Sequence, residues 1–120
     1  MAKQLYFTEH WSVSDASIDL ADVSTNANWL KLNLRGPNLM LQVDVSDATG
    51  YVYLQESLNN DNYVTIDDSS LAFDSSVTTT TYVKEWSGLF PGKWVELVIP
   101  LTEDVSMLGV IDAITIMNKL

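Results

Sequence analysis

"WLKLNLRGPNLMLQVDVS", residues 29–46, decides the fold class. Its apolar side chains recur at every second position: Leu30, Leu32 and Leu34 in the first run, then Leu39, Leu41, Val43 and Val45 in the second. Alternation of this kind turns one face of a strand toward a core and the other toward water. Trp29, Lys31, Asn33 and Arg35 fall on the polar side of the first run, and Met40, Gln42 and Asp44 on that of the second. "RGPN" (35–38) separates them, and Gly36 with Pro37 supplies the dihedrals of a tight connection. The two runs are predicted to form a hairpin.

The same period extends along the chain. "DATG" (47–50) reads as a turn into "YVYLQES" (51–57), with Gly50 free to take a positive φ. "NYVTI" (62–66) places Val64 and Ile66 on one inward face. "VTTTTYVKEW" (77–86) is rich in β-branched residues and suits a pleated surface. After the loop "SGLFPG" (87–92), "KWVELVI" (93–99) sets Val95, Leu97 and Ile99 inward and Trp94 and Glu96 outward, and Pro100 closes the strand. "VIDAITIM" (110–117) is the last strand. "SDASIDLADV" (14–23) has a capping Ser14, but Ile18 and Leu20 are spaced by two, which favours strand or loop. "LTEDVSML" (101–108) has a Thr102 cap and room for one helical turn. Residues 1–120 are therefore predicted to form a single all-β domain. Its class is an antiparallel β-sandwich, jelly-roll-like, with about seven or eight strands. Residues 1–27 read as a less regular N-terminal segment and a candidate docking or oligomer contact.

Composition narrows the partners. Six Lys and Arg stand against 16 Asp and Glu, a net charge of −10, so nucleic acid and anionic membrane are disfavoured. The plain meaning of that charge is solubility; the sharper one is a basic partner or a cation. The chain has no cysteine, which removes disulfides and thiolate metal sites. Its opening residues lack an apolar h-region and no run approaches membrane-spanning length, so the expectation is a chain made in a reducing cytosol.

The oxygen-rich tip in "LQESLNNDNYVTI" (54–66) invites a calcium reading. A dedicated calcium loop of the EF type needs a mid-loop glycine and a distal bidentate glutamate, and this tip has neither. Asn59, Asn60, Asp61 and Asn62 also suit a turn with no ligand, because Asn and Asp tolerate left-handed dihedrals and bond their own backbone. A turn is expected. Catalysis has no better warrant. His10 has no second histidine for a zinc site, and neighbouring carboxylates such as Asp67 with Asp68, or Glu103 with Asp104, are unremarkable among sixteen acids. No catalytic residue, metal ligand or cofactor is assigned, and an enzyme is not expected.

The aromatic residues carry the positive signal. Period two puts Trp29, Trp94, Tyr51, Tyr53 and Tyr63 opposite the aliphatic faces of their strands. Several rings on sheet faces call for a covering surface. Three readings stay open: packing under loops or a second sheet, an oligomer or docking interface, and a platform for sugar rings.

"SLNNDNYVTI" (57–66), "FPGKWVELVIP" (90–100) and "GVIDAITI" (109–116) together resemble small β-sandwich accessory proteins of tailed-phage virions, such as head-decoration or fibre-base proteins. The resemblance spans residues 28–120 and rests on strand, turn and aromatic spacing. It implies a non-enzymatic structural part of a virion, assembled in the host cytoplasm, homo-oligomeric and docked on a capsid or tail protein. The same features also resemble galactose-binding-type sandwiches of carbohydrate-binding modules, which implies a glycan partner instead.

Overall fold

The computed structural model describes residues 8–23, 30–74 and 79–119. Within them lie eight strands: β1 (Thr8–Asp19), β2 (Leu30–Asn33), β3 (Asn38–Ser57), β4 (Val64–Thr65), β5 (Leu71–Phe73), β6 (Thr79–Trp86), β7 (Trp94–Val98) and β8 (Leu108–Lys119). A 3₁₀ turn at Leu20–Asp22 follows β1, with the Asp19 carboxylate accepting from Ala21 N. All strand pairings are antiparallel. The strands make two walls that share β3. One runs β1-β8-β3-β6 and the other β2-β7-β3-β4, with β5 against the middle of β3. The chain is thus an antiparallel β-sandwich, as its alternation predicts.

β3 is 20 residues long and changes walls part-way. Asn38 to Thr49 pair with β8, whereas Tyr53 to Ser57 pair with β7. "DATG" is therefore a bend inside one strand and not a turn between two. Asp47 (φ 48°) and Gly50 (φ 148°) supply the bend, and the register slips between Ser46 and Thr49. Two glycines make room for it. A Cβ on Gly50 would collide with the Met107 side chain, and one on Gly109 (φ 92°) with the Asp47–Ala48 backbone.

The hairpin predicted around "RGPN" does not form. β2 pairs with β7, joining Leu30 to Leu97 and Leu32 to Val95, while β3 pairs with β6, β7 and β8. Residues 35–38 instead carry the chain from one wall to the other. Alternation fixes which side chains face inward, but it is silent on which strand lies alongside. The corner is held from β8. Asn118, fully buried, accepts from Arg35 N (2.8 Å) and Gly36 N (3.2 Å) and donates to Gly36 O (3.0 Å) and Asn38 O (2.9 Å). A buried amide with all its groups paired costs little, and it leaves the corner backbone satisfied too.

Leu39, Leu41, Val43, Val45, Ile114 and Ile116 form the core side of one wall. Val52, Leu54, Val95, Leu97 and Ile99 form that of the other. Leu34 is buried at the corner, and Leu32 is packed against this core but only partly buried. The N-terminal segment is more regular than expected, because β1 runs for 12 residues along β8. Thr102 does not cap its helical turn. Its hydroxyl accepts from Val23 N at 2.6 Å, while Asp104 N and Val105 N close the turn onto Leu101 O.

Candidate functional site

The pairing register sorts the outer face of the β2-β7-β3-β4 wall into rows. Lys31 lies opposite Glu96, Glu96 opposite Gln55, and Gln55 opposite Thr65. In the next row Asn33 lies opposite Trp94, and Trp94 opposite Ser57. Tyr53 and Tyr51 continue the same face along β3, their ring centroids 6.1 Å apart and their planes tilted by 34°. Tyr63 enters from the turn before β4, with its ring 5.2 Å from the Lys31 Nζ. Strand alternation thus puts Tyr51, Tyr53 and Trp94 on one face and the turn brings Tyr63 to it, each half-buried. Trp29 lies outside the described residues.

Glu96 departs from expectation. It occupies the outward position that alternation assigns, yet it is only 8% exposed. Strands flank it on both sides, and Lys31 answers its charge at 3.6 Å. A carboxylate removed from water needs such a partner. The cluster also acts on the phenols. Burial, then Tyr51, Asp104 and Glu96 raise the pKa of Tyr53 above its ordinary value. Burial and then Glu96 do the same to Tyr63. Both hydroxyls therefore stay protonated and able to donate at neutral pH.

The turn that delivers Tyr63 bonds itself. Asn59 Oδ1 accepts from Asp61 N (3.0 Å), Asn62 N (3.1 Å) and the Ser57 hydroxyl (2.9 Å). Asn60 takes φ 59° and its Oδ1 accepts from the Tyr63 hydroxyl at 2.5 Å. The amide oxygens of Asn59 and Asn60, two of those that suggested a cation loop, are occupied in shaping the chain. Among the described residues no group of three or more His, Asp or Glu side chains is disposed to hold a metal. Val64, expected inward, is 64% exposed; β4 is only two residues long and both are exposed. His10 stands in β1 opposite Met117, on the other wall.

No family model matches the chain, and no curated protein matches its sequence. Among solved structures it is similar to the CBM35 from Cellvibrio japonicus, with 12% identity and a TM-score of 0.47 over 90% of this chain and 92% of that one. It is similar also to an exo-β-1,3-galactanase from Phanerochaete chrysosporium, with 10% identity and a TM-score of 0.42. There the match takes in 92% of this chain but 26% of the enzyme. A CBM4 structure matches at 16% identity and TM-score 0.36, over 91% and 78% of the two chains.

Sequence reasoning chose the rings of this face but missed its polar members. Lys31, Gln55 and Glu96 each look like ordinary solvent-facing positions in separate strands. A signal existed in the opposite charges of Lys31 and Glu96 on two polar strand faces. It becomes readable only once β2 is known to lie beside β7.

Proposed function

We propose that this chain is a non-enzymatic carbohydrate-binding domain whose ligand lies on the outer face of the β2-β7-β3-β4 wall. One observation carries the reading: Tyr51, Tyr53, Tyr63 and Trp94 share that face with Lys31, Gln55 and Glu96. A pyranose ring offers an apolar C–H surface edged by hydroxyls. Rings with an apolar body and a polar tip cover the first, while carboxylate, amide and ammonium groups bond the second. In this reading the groups bind and orient the sugar. Trp94→Ala and Tyr53→Ala should each weaken retention on a bound polysaccharide by about 2 kcal/mol or more, with the far-UV spectrum unchanged. A wild-type chain that no polysaccharide retains would sink the proposal.

A second reading, a structural protein docked in a virion, draws on a different place. Leu58, Val64 and Phe90 are 81%, 64% and 71% exposed. Leu58 and Val64 border a groove of about 390 Å³ beside Glu56 and Lys93. Exposed apolar side chains of this size fit a protein contact. Light scattering separates the readings: a concentration-dependent oligomer that Leu58→Ser dissolves belongs to the second.

A further inference from the structure

We infer, resting on the glycan reading, that this face selects neutral sugars and turns away uronates and sulfated sugars, and that Glu96 is the residue that sets the choice. Lys31 is the one basic residue among the described strand positions of the face. Its Nζ is already engaged, 3.6 Å from Glu96 Oε2 and against the Tyr63 ring. An incoming carboxylate or sulfate would find no free cation. It would instead shed water beside Glu96, with Asp104 near enough to act on the Tyr53 phenol. The rest of the molecule, at −10, adds to the repulsion. Like charges brought together in a partly dry site are strongly disfavoured. A neutral sugar meets none of this, and its hydroxyls gain a charge-assisted bond from either member of the pair.

The arrangement also says how the choice would change. Glu96→Gln keeps the shape and the acceptor oxygen but frees the Lys31 ammonium. The face then holds a cation where it held a neutralised pair. Lys31→Gln leaves Glu96 alone, so the exclusion should persist.

Titration calorimetry of the full chain tests this with galacto-oligosaccharides and with oligogalacturonates of matched length. Wild type should strongly favour the neutral series, and Lys31→Gln, whatever neutral affinity it loses with the ammonium, should gain none for the anionic series. Glu96→Gln should raise the ratio of anionic to neutral affinity by about tenfold or more. If Glu96→Gln fails to fold, the wild type still answers. Electrostatic exclusion requires its weak oligogalacturonate binding to grow as salt is added, since salt screens repulsion. Equal wild-type affinity for both series would overturn the inference while leaving the glycan reading in place. So would an unchanged ratio in Glu96→Gln, or oligogalacturonate binding that salt leaves flat. Binding to neither series would remove the glycan reading, and this inference with it.

Discussion

Asn118 and Gly36 exchange two hydrogen bonds across 82 residues of sequence: Gly36 N donates to Asn118 Oδ1, and Asn118 Nδ2 donates to Gly36 O. This reciprocal pair, with the flanking bonds to Arg35 N and Asn38 O, turns "RGPN" into a corner between walls. Asn118→Leu would fill similar space while stranding buried backbone groups. It should cost about 3 kcal/mol, since each stranded buried group costs roughly 1–3 kcal/mol. Urea unfolding checks this; a loss under about 0.5 kcal/mol would show that the corner stands without its amide.

The bend in β3 makes a second demand. Gly109→Ala places a methyl against the Asp47–Ala48 backbone at a φ that side chains avoid. The expected loss is ~2 kcal/mol or more. Gly88→Ala is the control, because its Cβ would meet open space although its φ is also positive. Thermal melts should separate the two, and equal losses would assign the whole effect to backbone dihedral.

Burial orders a third comparison. Leu41 is fully buried and Leu58 is 81% exposed. Leu41→Ala should lose about 2–5 kcal/mol, because the cavity cannot collapse between two sheets. Leu58→Ala should stay within ~0.5 kcal/mol. A reversal would place the core on the wrong face of β3.

The tip of the β3–β4 connection should ignore calcium. Asn59→Ala removes the acceptor for Asp61 N and Asn62 N, and should cost about 1 kcal/mol. Millimolar calcium should leave the melting temperature unchanged, because a specific site would raise it with concentration. A saturable rise lost in Asp61→Ala would reinstate a cation site.

Tyr53 and Tyr63 predict an alkaline limb. Their folded pKa values are raised above the ordinary value of 10.0, chiefly by burial. Below that value both folded and unfolded phenols hold their protons, and the contribution to stability is complete. As pH climbs from there through the folded values, the unfolded chain sheds protons first and stability falls. Phenolate absorbance should show two late-titrating tyrosines. Unfolding midpoints should drop above pH 10 in wild type, and less steeply in Tyr53→Phe.

The inward side chains of β3 and β7 were legible because period two needs no partner to be seen. Leu41, Val43, Val95, Leu97 and Ile99 are all buried where alternation puts them. Pairing was not legible. Adjacent runs with a Gly-Pro between them look like a hairpin, and nothing local announces that an asparagine from β8 will hold the corner instead. Glu96 failed for a related reason. Its outward position is right, but it is flanked there by β2 and β3 and paired with Lys31, neighbours that only the strand order supplies. Tyr51, Tyr53 and Trp94 were correctly paired with their strands' outer sides because each judgement was local.

A strand that belongs to both walls has a kinetic consequence. The two walls cannot close on one another before β3 has bent between its two halves, and the bend is locked by Gly109 and Met107 from the far end of the chain. Val23 likewise meets Thr102 only after 79 residues have been brought round. Loop closures of this span must be made before the contacts that reward them, which places such topologies in the millisecond-to-second range. The molecule should therefore fold slowly and lose structure in one cooperative step. A chain opened within β3 would give two fragments, neither able to hold a wall by itself.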